Sequence, residues 1–421
     1  MSHIPDVIFY ILTFFAVYIQ VFLIVTFLEK RKNIEIRKDN ITLPYYPQVS
    51  IIVPCYNEEK TVKRTVESLL ALHYPQDKLQ IMLIDDGSRD NTFLVLESFK
   101  NFPNIDVYKK ENGGKHTAMN FGISKARGQF IGGLDADSFV HPEALNRMMT
   151  YFQKDSSAMA VCPAVIAYEP KNLIQKAQRA DYNFGIFMKK VQSFIGAVYV
   201  TPGPFSIYRK EVFENIGPFR KAHNTEDQEI ALRMQKNHYK IEHCPDAYVY
   251  TVTPNTVAKL YRQRVRWIYG FLKNVQDYKE LLFKKKYGNI GFFALPAGII
   301  SIISVIYISL MFVYQIITFT IHKITEFKII GFHNFFHMGN FSLFYINTSL
   351  INIVAVLLAV TLITSLLIGQ NMAEGKMRPN MSIVYFYILS FTVAPFWLGK
   401  ALYNVIFSRG AGNWAAERNL L

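Results

Sequence analysis

Charged residues and cysteines are both scarce in this chain of 421 residues. Asp, Glu, Lys and Arg make up only 19% of the chain and apolar types 51%, which is apolar-rich for a soluble protein. Cys55, Cys162 and Cys244 lie far apart, without the spacing of a metal site or an obvious disulfide pattern. This usage argues against a disulfide-stapled secreted domain and is typical of a reducing compartment.

Acidic residues are also in deficit. The chain has 46 Lys and Arg against 32 Asp and Glu, a formal net charge of +14. A chain of this charge favours anionic surroundings, and nucleic acid, anionic lipid headgroups and phosphorylated substrates are all compatible with charge alone. Internal repeats and low-complexity segments are absent from the sequence, so repeat architectures do not explain its length.

Residues 7–28 form an uncharged apolar run in which Gln20 is the only strongly polar residue. A helix of this length, rising about 1.5 Å per residue, crosses a hydrocarbon core of about 30 Å. Asp6 precedes the run, and the following basic residues are Lys30, Arg31, Lys32, Arg37 and Lys38. The positive-inside rule predicts a cytoplasmic segment after the run and an N-terminus outside. Neither an upstream basic region nor a small-residue cleavage site is present, so we expect a retained anchor.

Three more charge-poor apolar stretches follow in the C-terminal part, at residues 290–321, 341–368 and 383–407. The last stretch is interrupted near Pro395 and Lys400. Basic residues occur in both connections between the stretches, so the charge bias does not fix their orientation. The pattern predicts about three late membrane crossings.

Between residues 47 and 262 the composition is that of a soluble α/β domain. Short apolar runs alternate with helical patterns, beginning VSIIVPCY, KTVKRTVESLLAL and LQIMLIDDG. Continuous apolar strands bounded by turns are typical of a parallel sheet that helices cover on both faces.

Acidic residues end two of these apolar runs. Asp85 and Asp86 end the first, in IDDGSRDNT, and Asp135 and Asp137 end the second, in GGLDADSFV. Ligands bind at the carboxyl ends of strands in open α/β sheets, and paired carboxylates suit a hard divalent cation that bridges a diphosphate. Each motif alone is also compatible with a solvated, capped turn, but two in series favour a metal site.

A third acidic motif, TEDQEIALRM, starts at Thr225. Its acids suit the N-terminus of a helix, where the dipole favours negative charge. They also suit a general base for an acceptor hydroxyl, which needs a carboxylate within hydrogen-bond reach. Spacing alone does not select one acid among them.

Residues 257–275 read as a basic amphipathic helix. Its apolar stripe comprises Val257, Leu260, Tyr261, Val265, Ile268 and Leu272. Gln263, Arg266, Trp267 and Gly270 fall on a roughly opposite face, which points into the catalytic domain if the stripe lies among lipid headgroups. Residues 173–194 read as a second interfacial helix, for which packing against lipid is an equal alternative. Much of the positive charge lies on these two helices, which favours a membrane surface over nucleic acid.

The ordered motifs VSIIVPCYNEE, LIDDGSRDNT, NGGKHTAMNFG, GLDADS, TPGPFSIYRKEV, TEDQEIALRM and QRVRW resemble the processive family-2 glycosyltransferases. These include the poly-N-acetylglucosamine, cellulose, hyaluronan and chitin synthases. The resemblance covers roughly residues 48 to 270 and is closest to the poly-N-acetylglucosamine synthase type. It implies a GT-A-like fold, in which a mixed nucleotide-sugar-binding sheet is flanked by helices, with a transmembrane helical region added.

The resemblance also implies residue roles. Asp227 is the expected catalytic base, and Asp135 and Asp137 are the expected ligands of Mg²⁺ or Mn²⁺. The expected nucleotide-sugar-binding residues are Pro54, Tyr56, Glu58, Asp85, Asp86, Lys115, Asp135, Gln263 and Arg266, with either Asp85 or Asp86 on the uracil. The expected acceptor-binding residues are Gly203, Phe205, Glu226 and Trp267.

We therefore expect an inverting, metal-dependent enzyme that extends a polysaccharide, with UDP-N-acetylglucosamine as the donor. The expected organisation is an anchor over residues 1–29, a cytoplasmic glycosyltransferase domain over 30–253, interfacial helices over 254–288 and a membrane region over 289–421. The enzyme is expected in the cell membrane, in contact with the bilayer and without nucleic acid, and an accessory membrane subunit is compatible with the sequence.

Three other functions compete with this interpretation. A membrane enzyme that adds one sugar to a lipid carrier would share the fold and donor, but the helix carrying Gln263, Arg266 and Trp267 argues against it. A dinucleotide-binding protein needs G-x-G-x-x-G after its first strand, where this chain has VSIIVPCYNEE. A transporter would have no use for an acid-rich domain between its first and later spans.

Overall fold

The computed structural model describes residues 3–34, 41–330 and 350–407. Residues 341–349 of the predicted second late span, and the flanking residues Arg37 and Lys38, lie outside this part of the chain. The eight strands of the described residues are β1 Val49–Cys55, β2 Leu79–Asp85, β3 Ile105–Lys109, β4 Phe130–Gly133, β5 Ser138–Val140, β6 Ala158–Ala167, β7 Ile207–Arg209 and β8 Lys240–Thr251.

Helices alternate with these strands. The N-terminal helix is α1 His3–Lys30, and those of the central domain are α2 Val62–Leu70, α3 Thr92–Glu97, α4 Lys115–Lys125, α5 Ala144–Lys154, α6 Leu173–Phe194, α7 Lys210–Ile216, α8 Glu226–Lys236 and α9 Val257–Asp277. The later helices are α10 Leu295–Ile330, α11 Leu350–Glu374, α12 Met381–Thr392 and α13 Ala394–Phe407. A π-helical turn, Ile290–Ala294, leads into α10.

All eight strands form one sheet in the order β3-β2-β1-β4-β7-β6-β8-β5. Strands β3, β2, β1 and β4 are parallel, and β7 enters antiparallel to both β4 and β6. The prediction of a purely parallel sheet is therefore wrong, whereas the mixed sheet implied by the family resemblance is confirmed. The reason is that β7 is only three residues long and its short apolar pattern carries no signal of direction.

Apolar side chains fill both faces of the sheet. Every residue of β2 is buried, which explains the apolar run from Ile81 to Ile84 that leads to Asp85. One core packs around Val53, Leu83 and Phe205, and a second packs on the opposite face around Ile52, Ile84 and Tyr208. This double cover leaves the carboxyl ends of the parallel strands as the open edge, where the predicted acids lie.

Three helices are long and apolar enough to cross a membrane, over Val7–Lys30, Ile290–Ile329 and Ile353–Glu374. Helices α12 and α13, bent by 45° relative to each other, form a fourth span if the pair counts as one. Within the described residues, the C-terminal part thus contributes two helices and one broken pair, in agreement with about three late stretches. The apolar side chains that these helices leave exposed, such as Phe14, Ile317 and Val356, suit a lipid surface.

Helices α6 and α9 lie between the sheet and the membrane helices. Helix α6 packs against α11 and α12 on one side and against β6 and β8 on the other. Helix α9 packs against α13, and its stripe residues Leu260, Val265 and Leu272 share an apolar cluster with Leu295 and Trp397. Other helices of the protein therefore cover much of the apolar faces of α6 and α9. Val257 alone of the predicted stripe is exposed.

Candidate active site

The carboxylate of Asp86 holds the loop that leads to helix α4. Lys110 donates to it over 2.5 Å, and the backbone N–H groups of Gly113 and Gly114 donate over 3.1 and 2.8 Å. Asp86 is 3% exposed, so these bonds compensate its desolvation. Asp85 differs, because its Oδ2 atom is buried without a hydrogen-bond partner among the described residues. Of the two predicted uracil ligands, Asp85 is therefore the one whose carboxylate has an oxygen without a hydrogen-bond partner among the described residues.

The loop that contains Tyr56 and Glu58 lies directly against the loop that follows β2. The Asn57 N–H donates to Ser88 Oγ over 3.0 Å, and the Glu58 N–H donates to Thr92 Oγ1 over 2.7 Å. Pro54 precedes this loop within β1, paired in register with Ile84 of β2. The parallel pairing of β1 and β2 thus gathers the predicted nucleotide-binding residues at one edge of the sheet.

Lys115, the first residue of α4, contacts acidic residues from two separate segments of the chain. Its Nζ atom lies 2.5 Å from Asp135 Oδ1 and 3.5 Å from Glu226 Oε1. Burial lowers the pKa of Lys115, but the charges of Asp135 and Glu226 outweigh burial and raise that pKa above its ordinary value. The lysine is therefore charged at neutral pH and holds together Asp135 and Glu226, which are distant in sequence.

Two carboxyls of this cluster resist ionisation. Burial and the nearby charge of Glu226 raise the pKa of Asp227 to about 6. Burial and the charge of Asp135 likewise raise the pKa of Asp137 to about 6. Glu226 behaves oppositely, because Lys115 and Arg266 overcome the effect of burial and lower its pKa. The acid adjacent to Asp227 is thus kept ionised while Asp227 is poised near neutrality, as a general base requires.

Asp135 and Asp137 fit the chemistry of a divalent cation. Both are oxygen donors, and their mutual repulsion, seen in the raised pKa of Asp137, is what a bound cation relieves. Glu58 lies within the influence of both charges, since its own pKa is raised by burial and, to a smaller extent, by Asp137 and Asp135. No group of three or more His, Cys, Asp or Glu residues in the described chain forms a ready-made cage. Mg²⁺ commonly binds one or two carboxylates and completes its shell with substrate phosphates and water.

Gly203 lies directly against the ion pair of Lys115 and Asp135. A Cβ atom at this position would lie 2.6 Å from Lys115 Nζ and 3.2 Å from Asp135 Oδ2, so any side chain there would displace the Lys115 ammonium group. The cavity bounded by Lys115, Asp135, Gly203 and Asp227 has a volume of only about 20 Å³, enough for roughly one water molecule. Phe205, a predicted acceptor residue, has its ring fully buried in the core beneath this cavity.

Helix α9 brings its motif residues against the turn that precedes Asp227. Arg266 donates from Nη1 to the carbonyl oxygen of Asn224 over 2.8 Å. The Oε1 atom of Gln263 is buried without a hydrogen-bond partner among the described residues, as expected of a group that awaits a ligand. The face opposite the apolar stripe therefore does point into the domain.

Trp267 is supported by two residues to which the sequence assigned no role. The guanidinium carbon of Arg264 lies 4.5 Å from the centroid of the Trp267 ring, and its Nη2 atom lies 2.5 Å from Asp181 Oδ2 on α6. The i, i+3 spacing of Arg264 and Trp267 could have indicated their stacking. Nothing in the sequence links Arg264 to Asp181. Tyr182, next to Asp181, also lies within the influence of Asp137 and Asp135. Burial raises the pKa of Tyr182, the charge of Arg264 opposes this, and the charges of Asp181, Asp137 and Asp135 add to the rise.

A larger groove of about 1110 Å³ lies beyond this turn, between α7, α8 and the end of α9. Its charged side chains pair with one another, for example His223 with Asp277 over 2.9 Å and Arg233 with Glu229 over 2.9 Å. Glu229 also accepts a hydrogen bond from the Tyr278 hydroxyl. The Tyr278–Glu229 bond joins the residue after α9 to α8, and the His223–Asp277 pair joins the end of α9 to the turn before α8. We therefore interpret the groove as a structural junction between these segments.

The mixed sheet, with acidic residues at the carboxyl ends of its parallel strands, has a GT-A-like fold. Residues 50–217 match the family described as Glycosyl transferase family 2. This match agrees with the resemblance carried by the ordered motifs.

Curated relatives of the chain include poly-beta-1,6-N-acetyl-D-glucosamine synthases. It is 32% identical to one from Staphylococcus epidermidis over 226 residues, which cover 53% of this chain and 54% of that protein. It is 31% identical to one from Staphylococcus aureus over 236 residues, which cover 56% and 57% of the two chains. The chain therefore spans about half the length of the curated relatives it matches.

The fold also resembles that of a solved structure, a mannosyltransferase from Pyrobaculum calidifontis in complex with GDP-Man and Mn²⁺. The superposition has a TM-score of 0.56 and covers 95% of this chain and 100% of that chain, at 16% sequence identity. At this identity the likeness concerns the fold, and it extends beyond the catalytic domain to the apolar helices.

Proposed function

We propose that this protein is a membrane-bound inverting glycosyltransferase that transfers N-acetylglucosamine from UDP-N-acetylglucosamine to a growing polysaccharide. The observation that carries the proposal is the position of Asp227. Its pKa is raised to about 6, and it shares a cavity with Lys115 and Asp135 at the carboxyl edge of the sheet. The names of the curated relatives support the choice of sugar.

On the donor side, the loop of Pro54, Tyr56 and Glu58 borders the nucleotide, and the free oxygen of Asp85 accepts a hydrogen bond from the uracil. Asp86 instead keeps the Lys110–Gly114 loop in place through its three hydrogen bonds. Lys115 exchanges Asp135 for the donor diphosphate, and Arg266 and Gln263 approach that diphosphate from α9. For Lys115 this exchange replaces one charge pair with another, so the lysine stays charged throughout.

In the transfer step, the oxygen of the acceptor hydroxyl attacks the anomeric carbon opposite the leaving group. A carbon–oxygen bond forms, the bond from the anomeric carbon to the diphosphate oxygen breaks, and its electron pair leaves with UDP. Asp227 takes the hydroxyl proton, which is the reason for placing a base with a pKa of about 6 at this point. Attack from the opposite face inverts the anomeric configuration.

A divalent cation held by Asp135 and Asp137 would neutralise negative charge on the departing diphosphate. The residues themselves prepare this site, since Lys115 already balances Asp135 and keeps the loop near Gly203. Mg²⁺ and Mn²⁺ are both compatible with two carboxylate oxygens.

On the acceptor side, Trp267 holds the terminal sugar of the chain, while Gly203 and Glu226 border the reacting hydroxyl. Phe205 contributes from beneath, by shaping the backbone over the cavity. Helix α9 joins this acceptor site directly to α13, so a product that remains bound is delivered towards the membrane helices. We place the catalytic domain on the cytoplasmic side of the cell membrane, where nucleotide sugars are made, and an accessory membrane subunit is compatible with the exposed apolar helices.

The test is transfer from a panel of labelled nucleotide sugars by the full chain in membranes, with sizing of the product. We expect a polymer from UDP-N-acetylglucosamine, no product with Asp227→Asn, and retained UDP binding in that variant. Asp77→Asn is the matched control, because Asp77 is exposed and pairs only with its neighbour Lys78. Turnover by Asp227→Asn would remove Asp227 as the base, and a product carrying one added sugar on a lipid would favour the single-transfer alternative.

A further inference from the structure

The segment that carries the proposed base begins with an unusual turn. Three consecutive residues, Ala222, His223 and Asn224, have φ values of 39, 56 and 59°. Residues with a side chain rarely adopt this left-handed region, and three in succession persist only where surrounding contacts hold them. The turn ends at Thr225, one residue before helix α8, so its position sets where Glu226 and Asp227 lie.

One face of helix α9 supplies the contacts that hold this turn. Arg266 donates to the Asn224 carbonyl over 2.8 Å, and Asn274 donates from Nδ2 to Thr225 Oγ1 over 2.9 Å. Between them, Gly270 lies so close that a Cβ atom would be 2.3 Å from Thr225 Oγ1. Positions 266, 270 and 274 are four residues apart and therefore share one helical face.

The hydroxyl of Thr225 is engaged in an uncommon way. Thr225 occupies the N-cap position of α8, where a threonine oxygen usually accepts a hydrogen bond from the helix, but no such bond is formed. Instead the hydroxyl donates to the Ala222 carbonyl over 3.0 Å and accepts from Asn274, which is completely buried. The side chain that would cap the helix thus links α9 to the left-handed turn.

We propose that Gly270 and Asn274 are positioning residues for the transfer reaction. Gly270 sets how closely α9 approaches Thr225, and Asn274 fixes the Thr225 hydroxyl, so that together they hold the Ala222–Asn224 turn and place Asp227 at the acceptor hydroxyl. This inference rests on the proposed role of Asp227 as the base. Neither residue touches the cavity that Asp227 lines.

The first test compares Gly270→Ala with Gly185→Ala in the full chain. A methyl group at 270 meets Thr225, whereas a Cβ at Gly185 of α6 meets no atom within 4 Å. We expect Gly270→Ala to lower kcat by about ten- to a hundred-fold, because small displacements of a catalytic group cost rates of this order, and to leave UDP affinity within about two-fold. Gly185→Ala should keep the activity of the unmodified protein. Equal kcat values for the two variants would overturn the proposal, as would a loss of UDP affinity that matches the loss of kcat.

The second test separates the hydrogen bonds from mere packing. Thr225→Val keeps the shape of the side chain but removes the hydroxyl, and Thr225→Ser restores it. We expect Thr225→Val to lower kcat, because a hydrogen bond between positioned groups is lost. We expect kcat of Thr225→Ser to be closer to that of the unmodified protein, with at least about half of the loss recovered on a logarithmic scale. Thr253→Val is the control, since Thr253 is buried and its hydroxyl has no partner in the described chain. Equal activity of the valine and serine variants at position 225 would contradict the proposal.

A third measurement does not depend on activity. Backbone hydrogen exchange in the peptide over residues 220–228 should be faster in Asn274→Ala than in the unmodified protein, while exchange in β6 should be unchanged. Unchanged exchange over 220–228 would overturn the positioning role. If the unmodified protein transfers no sugar from any donor, the proposed function fails, whereas the exchange result still decides whether Asn274 holds the turn.

Discussion

At the scale of single residues, the pKa of Asp227 gives the reaction a defined pH dependence. A base must be deprotonated to accept a proton, and burial together with Glu226 raises the pKa of Asp227 to about 6. The transfer rate should therefore be low at pH 5, rise through about pH 6 and level off above about pH 7.

Glu226→Gln provides a directional check on this assignment. Removing the Glu226 charge removes one cause of the raised pKa, so the acidic limb of the kcat profile should move to lower pH. The measurement is kcat against pH at saturating donor and acceptor, with UDP binding followed over the same range. If the acidic limb of the kcat–pH profile does not move in Glu226→Gln, a group other than Asp227 controls the pH dependence of the rate.

Single residues also show where sequence reasoning succeeds and where it stops. The edge position of Asp85, Asp86 and Asp135 follows from apolar strands that end in acids, because parallel strands end on the same side of a sheet. The choice between Asp85 and Asp86 did not follow, since it depends on Lys110 and two glycine N–H groups that only the folded loop brings to Asp86. The contact between Lys115 and Glu226 could not be predicted from the sequence either, because it links distant segments.

At the scale of elements, helix α9 carries both Trp267, which we propose binds the acceptor, and Arg264, which stacks on the Trp267 ring. Arg264 stacks on Trp267 and pairs with Asp181 of α6, so the ring is held from both helices. We expect Trp267→Ala to weaken acceptor use far more than UDP binding, and Arg264→Ala to reproduce part of this effect by freeing the ring.

The measurement is KM for an oligosaccharide acceptor together with the dissociation constant of UDP. Arg262→Ala is the neighbouring control, because no ion pair or ring contact of Arg262 occurs among the described residues. A loss of UDP affinity equal to the rise in acceptor KM would contradict the acceptor role of Trp267.

The identity of most elements could be predicted, but some of their surroundings could not. Residues 257–275 were recognised as an amphipathic helix because their apolar positions recur with a helical period. That period predicts which face of the helix is buried but not which element covers it, and the structure packs the stripe on α13. Likewise, Lys190 of α6 suggested a charged surface, yet it is 2% exposed and donates to the His243 carbonyl.

At the scale of the whole molecule, polar contacts join the catalytic domain to the membrane helices. Glu374 at the end of α11 lies 2.7 Å from Arg179 of α6 and also accepts a hydrogen bond from Asn183 over 2.7 Å. Lys30 at the end of α1 donates to the carbonyl of Phe194, the last residue of α6. Helix α6 is therefore joined through Arg179 and Asn183 in its first half to α11, and through Phe194 at its C-terminal end to α1.

Glu374→Ala should lower the thermal midpoint of the purified full-length protein, by the equivalent of about 1–2 kcal/mol, because two bonds to a partly buried carboxylate are lost. Glu280→Ala is the control, since Glu280 pairs over 2.6 Å with Lys236 where both side chains are more than 40% exposed. Exposed pairs of this kind contribute roughly 0–1 kcal/mol. Equal midpoints for the two variants would show that the α6–α11 contact does not stabilise the assembly.

The number of apolar helices follows from composition, but their attachment to the domain does not. Runs of about twenty apolar residues predict spans wherever they occur. The contacts of Glu374 with Arg179 and Asn183 join positions nearly two hundred residues apart. No local sequence pattern predicts such contacts.

The narrow cavity beside Gly203 has a thermodynamic consequence. With room for about one water molecule, the site as described is not a shape that accepts a sugar, so donor binding draws on a separate, opened population of the protein. The apparent affinity for the donor is then the affinity of the opened form multiplied by the fraction of molecules that adopt it. Substitutions that widen the cavity but keep Lys115 and Asp135 would enlarge that fraction and tighten donor binding, while they admit water to the reactive sugar. Selectivity for transfer over hydrolysis would thus be set by an equilibrium that exists before any substrate arrives.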